Sequence, residues 1–404
     1  MTMEGRYRPS KVIGYWMSEK KRQKLNWSEF GCVCKKNGYD LVKLDLARPL
    51  EDQGPFCLIL HKLTDIIALA GQGDARAQEM IDRVEDYFRS HPEVAVLDPL
   101  DNVRKLLDRY LSYSVIHHSG LEEIDVFTPA FVELVSDDYN ENLTRLKLAG
   151  VSFPFVCKPS VAHGSSHAHK MSVIFNERGV KDCKPPCVAQ SFINHNAVLY
   201  KIYLVGEQHF VVERPSLKNF YPSGGYSEYR ETIFFDSHDV SKADSTSSLS
   251  ILDPCDHNIT VATPDPARFQ QIVSTLRRAL GMSLLGIDVV IENGSGHYAI
   301  IDINAYPGYD GFPNFFESLM TCIKNTINEH LSSLTAYNTS SSQSSSSSSP
   351  LKSTVDDPTF VKPVSQSGND QDDSGFDTGD SSDEKKKNSQ RIESNLRKVT
   401  ATRK

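Results

Sequence analysis

The stretch Leu285-Gly-Ile-Asp-Val-Val-Ile-Glu-Asn-Gly-Ser-Gly-His-Tyr-Ala-Ile-Ile-Asp-Ile-Asn304 predicts a β-hairpin with two acids on one face. Two apolar runs flank Asn-Gly-Ser-Gly at 293–296, which is a strong turn signal. With the turn centred in this tetrad, Asp288 falls opposite Asp302. Asn304 shares the face of Asp302 because side chains alternate along a strand. The hairpin is therefore predicted to present two carboxylates and an amide oxygen together.

Two acids opposed on an apolar hairpin repel each other unless a positive charge neutralises them. A hard divalent cation does this well, and Mg²⁺ prefers oxygen ligands, with its other positions filled by phosphates and water. Asp288, Asp302 and Asn304 are therefore candidate Mg²⁺ ligands at a nucleotide site. The alternative is a sheet face that is simply solvated.

The spacing of apolar runs predicts an α/β (α+β) protein of several lobes. The 404 residues exceed what one small core normally holds. Strand and helix signals alternate over the first hundred residues, which favours a parallel sheet, and closely spaced strands after residue 120 favour an antiparallel one. We predict an N-terminal α/β lobe (1–118), a central antiparallel-sheet lobe (119–192), a C-terminal lobe with the hairpin (193–335) and a disordered tail (336–404).

Signals at the helix ends predict two of the helices, and a third is predicted before residue 335. Asp101 is placed to cap a helix that runs to about Ile116. An early proline and the following Gly281 bracket a helix over 266–280. The last helix is predicted over 315–331.

The charge balance excludes some classes of function. Lys and Arg total 44 and Asp and Glu total 52, so the net charge of −8 argues against a nucleic-acid-binding protein with a broad basic surface. No apolar run approaches the roughly 18 residues of a membrane span, and residues 1–11 lack the apolar core of a signal peptide. The eight cysteines include no Cys-x-x-Cys pair, and several lie in apolar runs. We expect a soluble cytoplasmic protein without membrane insertion.

The negative charge belongs to the body of the chain. Residues 336–404 carry ten acidic and ten basic residues, so the whole −8 lies in residues 1–335. Bulk charge therefore cannot attract an anionic substrate. Any polyphosphate must be bound by a local cluster of basic side chains in an acidic body.

Three segments upstream of the hairpin suit a nucleotide site. Lys158 ends an apolar run and can reach a phosphate, although a snorkelling edge lysine is equally common. The small-residue loop 161–169 can close its amides over phosphates, and its histidines are alternative metal ligands. The polar elbow at 194–196 joins two strands and can pair with an adenine edge, or it is an ordinary hairpin.

Several further stretches complete a recognisable pattern. They are Gly14–Lys21, His61–Asp65, Leu97–Leu100, Val161–Gly164, Phe192–Lys201, Glu213–Lys218 and Ile301–Gly308. The order of strand-end lysine, small-residue loop, hinge and Asp…Asp-x-Asn hairpin is that of the ATP-grasp fold. Over residues 11–332 the chain resembles the inositol 1,3,4-trisphosphate 5/6-kinase family, whose members are also called inositol-tetrakisphosphate 1-kinases.

The resemblance implies transfer of the γ-phosphoryl group of ATP to a hydroxyl of an inositol polyphosphate, with two Mg²⁺ ions. It implies catalytic roles for Lys158, Asp288, Asp302 and Asn304, the last three as metal ligands. The implied nucleotide contacts are Arg109, Lys158, Gln190, Ser191, Phe192, Ile193, Asn194, His195, Asn196, Ala197, Val198, Leu199, Tyr200, Lys201, Ser216, Ser237 and Ser241. The implied substrate contacts are Lys21, Lys62, His163, His169, Lys201, Arg214 and Asn304.

One departure and two alternatives accompany this interpretation. The loop 164–170 is one residue longer than the family pattern, so His167 competes with His169 for the substrate. An ATP-grasp carboxylate–amine ligase would share Lys158 and the hairpin, but Lys21 and Lys62, each expected at a strand end, suit a polyphosphate better. A non-catalytic ATP-binding scaffold is disfavoured by the intact acids. The resemblance implies a monomer, and the partners of the tail are open.

Overall fold

The computed structural model describes residues 11–162, 166–221, 230–259 and 262–343. The described strands are β1 Val12–Trp16, β2 Asp40–Lys43, β3 Leu58–His61, β4 Ala95–Leu97, β5 Val126–Phe127, β6 Phe131–Leu134, β7 Phe155–Pro159, β8 Lys170–Ile174, β9 Cys187–Ser191, β10 Val198–Val205, β11 Gln208–Pro215, β12 Ile233–Asp236, β13 Leu284–Ile291 and β14 Tyr298–Ala305. The described helices are α1 Glu19–Lys24, α2 Trp27–Lys36, α3 Thr64–Gly71, α4 Ala75–Ser90, α5 Leu100–Lys105, α6 Arg109–His117, α7 Tyr139–Leu148, α8 Ser237–Ser241, α9 Pro266–Leu280 and α10 Phe315–Gln343.

Three sheets organise these elements. The first sheet has the order β2-β1-β3-β4, and all its pairs are parallel. The central sheet has the order β12-β8-β7-β9-β6, and its pairs are antiparallel. The hairpin sheet has the order β11-β10-β13-β14-β5, antiparallel except for the parallel pair of β14 with β5. The predicted change from a parallel to an antiparallel sheet is confirmed.

The amphipathic helix α9 packs against the hairpin sheet. In α9, buried residues recur at Phe269, Ile272, Leu276 and Leu280, a spacing that places them on one helix face. They pack in one cluster with buried residues of β13 such as Ile287. The start and end of α9 match the prediction, because Asp265 caps its first turn and Gly281, at φ +61°, ends it.

The predicted helix over 101–116 is wrong. The structure forms α5 and α6 with a break between them, and the carboxylate of Asp108 accepts from the amide of Leu111 to cap α6. The amide of Arg109 donates to the carbonyl of Ser160, and the amide of Ala162 donates to the carbonyl of Leu107. These bonds to the chain that follows β7 replace the helical ones. As a result, Arg109 becomes the first residue of a helix.

Two short strands cross the predicted lobe boundaries. β5 falls in the predicted central lobe but joins the hairpin sheet, and β12 falls in the predicted C-terminal lobe but joins the central sheet. The last helix continues to Gln343, which is beyond its predicted end near Leu331 and eight residues into the predicted tail. The predicted disorder of the rest of the tail lies outside the described residues. Within the described part of the chain, no helix is long and apolar enough to cross a bilayer.

Candidate active site

A charged row crosses three strands of the hairpin sheet. Lys201 of β10 is the register partner of Asp288 of β13, and Asp288 is the register partner of Asp302 of β14. The predicted opposition of the two acids is therefore confirmed. Only 9% of Asp288 is exposed, so the alternative of a solvated face is wrong. Asn304, the register partner of Gly286, lies two residues beyond Asp302 on the same strand.

Side-chain cations neutralise both acids. Lys201 Nζ lies 2.9 Å from Asp288 Oδ1, and Arg109 Nη1 donates to both oxygens of Asp302 at 3.0 and 3.1 Å. Burial raises the pKa of Asp288, although Lys201 opposes the shift. Burial acts in the same direction on Asp302, but Arg109 and Lys158 outweigh it and lower the pKa of Asp302. The charge compensation that the sequence assigned to a metal ion is thus supplied in part by the protein itself.

Arg109 is committed to contacts within the protein. Its side chain is 2% exposed. Besides Asp302, Nε donates to the carbonyl of Pro159 at 2.9 Å, and Nη2 donates to the carbonyl of Ala168 at 2.9 Å. Arg109 therefore joins α6, β7, β14 and the turn before β8. A direct contact with ATP phosphates stays a prediction.

Lys158 brings the central sheet to the hairpin sheet. Its Nζ donates to the hydroxyl of Tyr113 at 2.9 Å, to Gln190 Oε1 at 2.8 Å and to the carbonyl of Ile301 at 2.7 Å. Burial lowers the pKa of Lys158 to about 8, against the opposing effect of Asp302. With a pKa of about 8, Lys158 is mostly charged at neutral pH, and a bound anion favours the charged form further.

Lys21 and Lys62 converge on the chain that leaves β14. Lys62 Nζ donates to the carbonyls of Tyr306 at 2.8 Å and Ala305 at 3.3 Å, and Lys21 Nζ donates to the carbonyl of Pro307. Lys62 directly follows β3 as predicted, whereas Lys21 lies in α1 and not at a strand end. Burial lowers the pKa of Lys62 to about 8, and burial together with Lys62 lowers the pKa of Lys21 well below its usual value.

Arg214 approaches the same chain from β11. Its Nη2 donates to the carbonyl of Asp310 at 3.1 Å. Thus three of the predicted substrate contacts, Lys21, Lys62 and Arg214, all bind main-chain oxygens within residues 305–310.

The small-residue loop 161–169 is described only in part, and His163 lies outside the described residues. His169 ends a short 3₁₀ turn, stacks on His238 with ring centroids 3.7 Å apart, and lies 3.4 Å from the hydroxyl of Ser237. Burial, with the charges of His238 and Arg109, lowers the pKa of His169 to about 4. His167 is exposed. This placement favours His169 as the substrate contact, which stays a prediction.

The predicted adenine segment connects two sheets. β9 belongs to the central sheet and β10 to the hairpin sheet, so the alternative of an ordinary hairpin at 194–196 is wrong. Within this link His195 Nε2 lies 2.7 Å from the hydroxyl of Ser216, and burial lowers the pKa of His195 to about 4. A neutral imidazole therefore fixes the link to the end of β11. The nucleotide contacts predicted at Gln190–Lys201, Ser216, Ser237 and Ser241 stay predictions.

Sequence reasoning missed three residues of this site. Tyr113 donates to the carbonyl of Ile301 at 3.0 Å and accepts from Lys158. Its signal was available, because Tyr113 follows Arg109 by four residues and so shares its helix face. Lys24 and Asp310 form an ion pair beside Lys21, and no local pattern relates positions so distant in sequence.

Comparisons with known proteins agree with this geometry. The sequence profile described as the inositol 1,3,4-trisphosphate 5/6-kinase ATP-grasp domain matches residues 121–325, and the profile of the pre-ATP-grasp domain matches residues 12–103. The chain belongs to the inositol 1,3,4-trisphosphate 5/6-kinase family. The gap between the two matched ranges contains residue 118, where the first predicted lobe ends.

Curated members of the kinase family cover most of the chain. An inositol-tetrakisphosphate 1-kinase of Xenopus laevis is 48% identical over 323 residues, which is 78% of each chain. One of Danio rerio is 47% identical over 321 residues, 78% of this chain and 79% of the relative. The crystal structure of the D-cycloserine synthetase DcsG matches with a TM-score of 0.53 at 12% identity, over 78% of this chain and 99% of that one. At that identity the likeness concerns the fold alone, and the predicted ATP-grasp fold is confirmed.

Proposed function

We propose that this chain transfers the γ-phosphoryl group of ATP to a ring hydroxyl of an inositol polyphosphate, as an inositol 3,4,5,6-tetrakisphosphate 1-kinase and inositol 1,3,4-trisphosphate 5/6-kinase. The observation that carries the proposal is the charged row Lys201–Asp288–Asp302, together with the half-buried pair Lys21 and Lys62, which contacts the chain that leaves β14. Phosphoryl transfer depends mainly on positioning and on neutralising phosphate oxygens, and this site supplies both.

The residues present fit Mg²⁺. Lys201 Nζ lies close to both oxygens of the buried Asp288 carboxylate: it donates to Oδ2 at 3.1 Å, and it forms an ion pair with Oδ1 at 2.9 Å. Oδ1 accepts no hydrogen bond, so it keeps a lone pair for a cation. Within the described residues no group of three His, Cys, Asp or Glu side chains is arranged as a metal site, so the third ligand must be the amide of Asn304 or come from the nucleotide. Asp288, Asp302 and Asn304 would hold the metal, which would supply positive charge to neutralise the phosphates of the nucleotide. Two ions are part of the proposal.

The other residues bind, orient and hold charge. Lys158 meets the nucleotide phosphates in its charged form, and Tyr113 and Gln190 fix its direction. Lys21, Lys62, Arg214 and a histidine of the 163–169 loop orient the inositol polyphosphate so that one hydroxyl faces the γ-phosphorus. The link between β9 and β10 receives the adenine. No side chain is required as a dedicated general base.

The alternatives are less well supported. A carboxylate–amine ligase would use the same fold, but the relatives that cover more than three quarters of the chain carry a kinase name. A non-catalytic scaffold would not require the two acids Asp288 and Asp302 to face each other on the hairpin. A cytoplasmic location is part of the proposal, supported by six buried free cysteines: Cys34, Cys57, Cys157, Cys183, Cys187 and Cys322. A monomer is also proposed, on the family resemblance alone.

One assay tests the proposal. The full-length chain is incubated with ATP, Mg²⁺ and a panel of inositol phosphates, and separately with pairs of amino acids. We expect one phosphate added to an inositol ring per ADP released, and no amide product. An ATP-dependent amide product, or no turnover of any inositol phosphate, would overturn it.

Affinity for the inositol polyphosphate should fall as pH rises above 8. Burial lowers the pKa of Lys62 to about 8 in the free protein, so its charge is lost over this range, whereas a bound phosphate favours the charged form. Binding therefore takes up a proton, and affinity falls by up to about tenfold per pH unit above 8. Calorimetry in buffers of different ionisation enthalpy measures both effects.

Lys62→Arg is the control for this pH dependence. Arginine stays charged across the range, so the decline that remains in this variant belongs to other groups, including the phosphates. Equal pH profiles for the wild type and Lys62→Arg would contradict the assignment.

A further inference from the structure

An acidic side chain stands among the lysines of the site. Asp310 Oδ2 lies 2.9 Å from Nζ of Lys24, and about half of each side chain is exposed. Lys24 follows Lys21 by three residues in α1, so the two share a helix face. We call Lys21, Lys24 and Lys62 the lysine cluster.

The three ammonium groups act on one another. Burial is the main cause of the lowered pKa of Lys21, and the charges of Lys62 and Lys24 lower it further. Lys24 also lowers the pKa of Lys62. Asp310 and Asp65 act in the opposite direction on Lys21. Lys24 therefore belongs electrostatically to the same site as the two predicted substrate contacts.

The ion pair of Lys24 and Asp310 lies against the backbone of Gly308. A Cβ at Gly308 would lie 2.6 Å from Asp310 Oδ2 and 3.1 Å from Lys24 Nζ, so the pair packs directly on glycine backbone. The main-chain oxygen of Asp310 is held by Arg214 at 3.1 Å. The carboxylate thus sits between α1 and the chain after β14, where Lys21 and Lys62 also bind.

We infer that Lys24 is a phosphate-binding residue and that Asp310 is a specificity-determining residue that competes with a substrate phosphate for it. The inference rests on the proposed function. A fixed carboxylate repels an anionic ligand more strongly as the ligand carries more phosphates. Asp310 therefore selects against the more phosphorylated inositols, and a substrate that binds must displace it from Lys24.

The test compares Asp310→Asn, Lys24→Gln and their double variant. Affinities for inositol 1,3,4-trisphosphate, inositol 3,4,5,6-tetrakisphosphate and an inositol pentakisphosphate are measured without ATP, and KM values are measured with it. Asp310→Asn should tighten trisphosphate binding about threefold, and the others progressively more. Lys24→Gln should weaken binding, and Asp310→Asn should then have a smaller effect. The changes should fall on KM and shrink in high salt.

Asp86→Asn is the matched control. It removes the same charge away from the site, because the exposed Asp86 pairs with the exposed Arg89 on α4. Equal affinities for Asp310→Asn and Asp86→Asn, or an equal gain for every inositol phosphate, would overturn the inference while wild-type turnover upholds the kinase. Binding without wild-type turnover would reject the kinase, and the dissociation constants would still decide the inference. An absence of both binding and turnover would reject both.

Discussion

Asp288→Asn is expected to abolish turnover, with kcat reduced by at least about a thousandfold. Asparagine keeps the shape of aspartate but removes the negative charge that lies 2.9 Å from Lys201 Nζ. The row Lys201–Asp288–Asp302 then loses its central anion, and of the three proposed metal ligands only Asp302 and Asn304 would remain. Turnover of ATP and an inositol polyphosphate at saturating Mg²⁺ is the measurement.

Folding should survive this change. Burial raises the pKa of Asp288, so the folded protein holds this carboxylate at a cost that a neutral side chain removes. Lys201 loses its counter-charge, but its side chain is 23% exposed and stays hydrated, unlike the 2% exposed Arg109. We therefore expect a Tm within a few degrees of the wild type. Asp86→Asn on α4 is the control for charge. Wild-type rates for Asp288→Asn at saturating Mg²⁺ would show that the metal assignment is wrong.

The hairpin could be predicted because its information is local. The turn tetrad at 293–296 and the alternation of side chains set the register that pairs Asp288 with Asp302. The place of Lys201 could not be predicted in the same way. It depends on the pairing of β10 with β13, which are separated by about eighty residues, and nothing in either strand alone specifies that partner.

The break between α5 and α6 could not be predicted for a related reason. Helical periodicity continues through residues 106–108, but the carbonyl of Leu107 and the amide of Arg109 form hydrogen bonds with the chain after β7. That tertiary pairing overrides local propensity and turns Arg109 toward Asp302. Family resemblance supplied Arg109 as a candidate contact for ATP, yet only the fold reveals that its guanidinium is already engaged with Asp302.

Arg109→Met should be strongly destabilising, by about 3–5 kcal/mol. Methionine fills similar space but removes four donor contacts: to both oxygens of Asp302, to the carbonyl of Pro159 and to the carbonyl of Ala168. Asp302 would then be a buried carboxylate whose main counter-charge is gone. The free energy of unfolding from urea titration is the measurement. Arg89→Met, at an exposed position of α4, is the control, with a change below about 0.5 kcal/mol.

The double variant Arg109→Met/Asp302→Asn separates charge from packing. If the loss in Arg109→Met comes from the uncompensated carboxylate, neutralising Asp302 should restore part of the stability, because the two side chains interact directly. The lowered pKa of Asp302 also predicts that its ionised form stabilises the fold. This stabilisation is present at neutral pH and is lost as pH falls from the pKa of the unfolded state toward the pKa of the folded state. The stability of Arg109→Met should therefore fall less steeply with acid than that of the wild type. A double variant as unstable as Arg109→Met would assign the loss to the carbonyl contacts instead, and would make Arg109 a structural clamp.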